Sequence, residues 1–201
     1  MNIHPEELRT LGNPALLKRP KTVFFCSREN PEAIEKPTYL WALEQRYDQN
    51  CVLSGFHSKL EQAVFRYLLQ GPEQPIVYAL GRGIQNNLRF EYGTEIEAGR
   101  LLFITLFESQ VRNITTETAE IRNLMVADLA DQFFVPYMTA SGNIERLLAH
   151  PVSQGKPIYT LDLPMNTPLL QRGAIPFRPA GVLGRPKPCP PPPPRPGSLT
   201  L

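Results

Sequence analysis

The chain has 201 residues, with 21 Lys and Arg against 19 Asp and Glu, a formal net charge of +2. So mild a balance does not itself demand a nucleic-acid partner and leaves room for a local basic patch, while the length suits one well-buried domain with appendages. No run approaches the apolar length of a membrane span and the N-terminus lacks a basic-then-apolar leader, so the expectation is a cytoplasmic protein with no membrane partner.

In chain order, residues 1–20 are expected as a helical lead-in. Lys21–Cys26 (KTVFFC) is a compact apolar strand ending in the polar turn Ser27-Arg28-Glu29-Asn30. Pro37, suited to a first helical turn, opens the helix "TYLWALEQRYD". Cys51–Ser54 is a second strand, and after Gly55-Phe56-His57 a helix begins at Ser58 with Leu60, Ala63, Val64, Tyr67 and Leu68 at helical spacing. A third strand spans Pro75–Leu80 and ends at Gly81-Arg82-Gly83; a fourth spans Leu101–Leu106. A helix from Thr115 or Thr116 follows, then a fifth strand at Gln132–Tyr137 and a helix from about Ser141 to Ala149. Lys156–Leu161 is the sixth strand, before a short helix near Asn166–Arg172. From Gly184 on, eight prolines in eighteen residues predict an extended, disordered tail. The expected domains are thus the lead-in, a core over 21–175 and a proline-rich tail over 176–201. The tail's Pro190, Pro193 and Arg195 spacing suits an aromatic groove, and also suits a plain spacer.

Short apolar strands alternating with helices predict an α/β fold, a Rossmann-like mostly parallel sheet of about six strands with helices on both faces. Such sheets bind ligands beyond the carboxyl ends of their strands, where strand order reverses. Ser27-Arg28, Gly55 to Ser58, Gly81-Arg82-Gly83 and Thr139 to Asn143 all follow strand ends. Arg28 offers a forked donor set suited to phosphate, or a simple surface pair with Glu29. Ser58 and Glu61 match a capping box, which explains both without a ligand and leaves Gly55, and less directly His57, as contacts. Arg82 between glycines repeats the guanidinium theme, although Gly81-x-Gly83 is not the dinucleotide fingerprint. Ser141-Gly142 supplies a hydroxyl and a free backbone at another helix start.

The chain carries no nucleophile elbow, no P-loop and no zinc spacing among His4, His57 and His150. Three cysteines, Cys26, Cys51 and Cys189, form an odd set without ligand spacing, as in a reduced protein. No catalytic residue, metal or cofactor is therefore expected.

The fragments "VFFCSR" (23–28), "VLSGFHS" (52–58), "GRLLFIT" (99–105), "AEIRN" (119–123), "ADQFFVPYMTASGNIE" (130–145) and "GKPIYTL" (155–161) stand in a telling order. Together they resemble the DprA/Smf DNA-processing family, over roughly residues 12–172, within the Rossmann-like group that also holds the LOG nucleotide phosphoribohydrolases. The resemblance implies a domain that binds single-stranded DNA in a basic strand-end pocket and helps load a recombinase during transformation. Carried over, it points to Ser27, Arg28, Gly55, Arg122 and Asn123 as pocket residues, with Ser141 and Gly142 in the small turn after the fifth strand. The family's Ala-Arg-Gly-Ile-Asp turn is here Phe-His-Ser-Lys-Leu, the Phe-Pro lead-in to Arg-Asn is absent, and the flanking helical domains of longer members are missing. The hydrolases' Pro-Gly-Gly-x-Gly-Thr has only "YGTEIE" (92–97) as a counterpart, before the fourth strand. The expected function is single-stranded DNA binding in DNA uptake or recombination, with a recombinase and a second copy of the chain as further candidate partners. The alternative is a nucleotide-ligand sensor or LOG-like phosphoribohydrolase using the same cleft.

Overall fold

A computed structural model describes residues 5–183. Runs of four or five mainly apolar residues form its central strands: β2 (Lys21–Phe24), β3 (Cys51–Ser54) and β5 (Leu101–Thr105) are buried along their whole length. With β4 (Ile76–Ala79), β6 (Gln132–Phe134) and β7 (Ile158–Leu161) they make the parallel core of the sheet, covered on both faces as continuous apolar strands require. Two short edge strands, β1 (Arg9–Gly12) and β8 (Ile175–Phe177), complete the order β1-β5-β4-β3-β2-β6-β7-β8.

The α/β class holds, and the strand count of about six becomes eight. The lead-in at 1–20 is not helical throughout: β1 pairs antiparallel with β5 between two short 3-10 turns. Its sequence, Arg-Thr-Leu-Gly, carries too little apolar periodicity to be read as a strand. Gly12 has φ +113, and a side chain there would strike the Leu101 carbonyl, so the edge pairing depends on glycine. At the other edge Pro176 sits in β8, where a strand can spare an amide hydrogen. The proline-rich stretch from Gly184, with Cys189, lies outside the described residues.

Helices α1 (Glu35–Asp48) and α2 (Lys59–Leu69) cover one face, short α3 (Asn87–Glu91) and α4 (Gly93–Glu97) link β4 to β5, and α5 (Thr116–Asp128), α6 (Asn143–Ala149) and α7 (Thr167–Gln171) complete the set. Alternate strand residues divide between two cores. Phe24, Val52, Ile76 and Phe103 meet Trp41 of α1 and Val64 and Leu68 of α2, whereas Val23, Leu53, Val77 and Phe133 meet Met125 and Val126 of α5 and Leu147 of α6. Trp41 stacks on Phe134 at 4.2 Å and on Phe24 at 5.2 Å between ring centres, fixing α1 across the middle of the sheet. Helix α1 starts two residues before Pro37, which occupies its first turn where no amide bond is lost.

The chain adds β3, β4 and β5 on one side of β2, then crosses back through α5 to add β6, β7 and β8 on the other. Strand order thus reverses between β2 and β6, and the loops after these strands part to leave a crevice.

Candidate functional site

A cleft of about 610 Å³ opens at that reversal, lined by the ends of β2 and β3, the starts of α2, α5 and α6, and the turn after β6. Its floor is built by Glu61. Ser58 caps α2 by accepting the Glu61 amide hydrogen at 3.2 Å, the capping box the sequence indicates. The carboxylate does more than return the bond. One oxygen accepts from the amides of His57 (2.7 Å) and Ser58 (3.0 Å), and the other accepts from Cys26 at the end of β2 (2.9 Å). One buried side chain therefore holds the β2 and β3 termini at a fixed separation. Burial pushes the Glu61 carboxyl upward from its ordinary range, and the three amide donors and the Arg122 charge pull it back.

Arg122 comes from the second turn of α5 and is only 4% exposed. Its Nε donates to Asn123 Oδ1 at 3.0 Å; among the described residues the guanidinium makes no other hydrogen bond and no ion pair. It lies directly over Gly55. A Cβ at that glycine would sit 2.6 Å from Cζ and 2.7 Å from Nε, so the missing side chain is the space the guanidinium occupies. Burial pushes Arg122 down from its ordinary value, with Glu61 opposing, but a guanidinium keeps its charge in proteins.

Arg28 faces His57, Nη2 to Nε2 at 2.9 Å. Arginine can only donate, so His57 accepts through an unprotonated Nε2 and is neutral in this pairing. Burial, Arg122 and Arg28 all lower the His57 pKa, in that order. The Ser27 hydroxyl accepts from the Thr139 amide at 2.9 Å, tying the β2 end to the turn after β6. Gly142 and Asn143 also line the cleft.

Of the residues read from the sequence, Ser27, Arg28, Gly55, His57, Arg122, Asn123 and Gly142 line this one cleft. Ser141 does not: it adopts φ +59 on the outside of the turn, and its amide is taken by the Glu145 carboxylate. Arg82 lies in a neighbouring groove of about 370 Å³ that shares Gly55, His57 and Arg122 with the cleft. That groove also holds Arg112, which sits in a polar loop without periodicity and leaves no signal in the sequence. Phe56, the aromatic of the glycine turn, points away, 1% exposed, packed on Phe65 and Tyr78 at 4.8 and 5.1 Å. Burial raises both the Cys26 and the Cys51 thiols, Cys51 to about 11, so neither is a poised nucleophile. Among the described residues no three His, Cys, Asp or Glu side chains gather as a metal set, and no helix is long and apolar enough to cross a membrane.

No family model matches the chain, and no curated protein matches it in sequence. Solved structures do. The chain superposes on DNA processing protein A from Helicobacter pylori with a TM-score of 0.69 and 19% identity, over 87% of this chain and 83% of that one. The fold is that of the DprA proteins. DprA from Streptococcus pneumoniae gives a TM-score of 0.67 at 17% identity over 85% of this chain, which spans 62% of the pneumococcal protein. A molybdenum cofactor binding protein from Rippkaea orientalis is a more distant likeness, with a TM-score of 0.52 and 11% identity over 77% of this chain and 83% of that one. In this DprA-like sheet the Ser27-Arg28 and Arg122-Asn123 pairs line one crevice.

Proposed function

We propose that this cleft binds the sugar–phosphate backbone of single-stranded DNA. The observation that carries the reading is Arg122: a buried cation, offset at longer range by Glu61, keeps most of its donors unused and open to the cleft, where an anion would complete them. Arg28 adds a forked donor set at the rim. The Helicobacter pylori protein of the same fold is described by its single-stranded DNA binding mode, which supports the same ligand class here. On this reading the chain handles single strands of the kind exposed in DNA uptake or recombination, with a recombinase as candidate partner.

One feature favours a mononucleotide or nucleotide-derived ligand as the second reading. Among the described residues Phe25 is the only Phe, Tyr or Trp lining the cleft, and at 4% exposed it offers no stacking platform for a row of bases. Fluorescence anisotropy with a labelled thymidine oligonucleotide, read across a salt series, separates the two. Strand binding gives a linear fall of log affinity with log salt, and Arg28→Ala weakens it with unchanged folding. Full displacement by equimolar thymidine monophosphate, or release of free base from nucleoside monophosphates by chromatography, would favour the second reading.

A further inference from the structure

Resting on that reading, we infer that the groove beside the cleft is a second phosphodiester subsite, in which Arg82 and Arg112 hold the strand one or more nucleotides beyond Arg122. Arg122, Gly55, His57 and Ile114 form the partition between the two compartments, so one chain of phosphates can pass from one to the other along the strand ends. Four guanidiniums line this path: Arg28, Arg122, Arg82 and Arg112. None forms an ion pair among the described residues, and Glu61 offsets the Arg122 charge at longer range.

The backbone presents the outer two arginines together. Thr105 Oγ1 donates to the Arg82 carbonyl at 2.8 Å, and the Gly83 amide donates to the Val111 carbonyl at 2.9 Å. The Gln85 side-chain amide bridges the Gly83 and Ser109 carbonyls at 3.3 and 3.0 Å. The two loops approach so closely that a Cβ on Gly83 would meet the Glu108 carbonyl at 2.1 Å. Glycine at this position lets the loop after β4 and the loop after β5 zip into one ledge, and that ledge carries both Arg82 and Arg112. A single phosphate needs only the inner cleft; a ledge of this kind suits a polyanion.

The test uses the full chain with Arg82→Ala, Arg112→Ala and the double variant, binding labelled thymidine oligonucleotides of two to twelve residues across a salt series. Each lost phosphate contact on a single strand lowers the salt slope by roughly 0.7, so the double variant should flatten it by about 1.4. Its gain in affinity between the shortest and longest oligonucleotides should shrink at least tenfold relative to wild type. Arg28→Ala, which belongs to the inner cleft, should instead weaken all lengths alike. Wild-type slope and length dependence in a double variant with a wild-type melting curve would overturn the second subsite and leave the inner cleft standing. A wild-type protein that binds no oligonucleotide at any length would overturn both.

Discussion

Gly55→Ala isolates the central contact of the site. The added Cβ lies 2.6 Å from Arg122 Cζ, about 1 Å inside a relaxed contact of roughly 3.5–4 Å. The clash is with the mobile end of a side chain, so the guanidinium retreats while the turn keeps its path. Overpacking of this kind costs about 1–3 kcal/mol, offset in part by about 0.4–1 kcal/mol from the stiffer unfolded chain. The net loss lowers the melting temperature by a few degrees in a chain of this size, roughly 2–4 °C per kcal/mol. Binding suffers more. A displaced guanidinium forfeits a charge-assisted bond of about 1.5–3 kcal/mol, or roughly 10- to 100-fold in Kd. Anisotropy with a labelled oligonucleotide measures the loss, and differential scanning calorimetry measures the stability. The double variant Gly55→Ala with Arg122→Gln decides the cause: if the methyl acts by displacing Arg122, the two losses are strongly non-additive. Wild-type affinity in Gly55→Ala, or full additivity in the pair, would refute the reasoning.

Further outcomes follow from the neighbouring residues. Phe56 holds φ +44, strained for an aromatic residue, against the packing of its ring on Phe65 and Tyr78; Phe56→Ala should cost about 3–5 kcal/mol, read as a lower urea midpoint at unchanged m-value. The His57 pKa is lowered in the folded chain, so the unfolded chain takes its proton first as pH falls below about 6.5. Stability should decline toward acid over that interval and less so in His57→Gln, compared by urea titration between pH 5 and 8. A bound phosphate reverses the repulsion from Arg28 and Arg122 and favours the imidazolium, so wild-type affinity should rise from pH 8 to pH 6; a flat profile identical to that of His57→Gln removes His57 from the site.

Much of the fold was legible because buried parallel strands are nearly pure apolar runs, and Val23, Leu53, Val77 and Phe133 all fall within them. The edges were not. β1 and β8 are three or four residues long, rich in polar residues or proline, and exist only because a neighbouring strand offers its free edge. Candidate residues from three strand ends and from α5 share one crevice because strand order reverses between β2 and β6, a relation that spacing along the chain cannot display. Ser141 lies outside the cleft lining for a local reason: its backbone is left-handed, while Gly142, next to it, lines the cleft.

Glu61 shows the sharper limit. A capping box accounts fully for its place in the sequence, and the local account is correct. Yet the same carboxylate also takes the amide of Cys26, just past β2 and 35 residues earlier. Changing it to Gln keeps the size but exchanges one acceptor oxygen for an amide that meets an N–H head-on. At least one buried amide then loses its partner, a penalty of about 1–3 kcal/mol. Arg122 also loses its compensating charge. If Glu61 were a helix cap alone, Glu61→Gln would cost a fraction of that and leave binding untouched, since glutamine serves in capping boxes as well. If it sets the spacing of the two loops, the variant loses both stability and affinity, and hydrogen exchange quickens at the Cys26 and His57 amides together. Exchange confined to the first turn of α2 would reduce Glu61 to its local role.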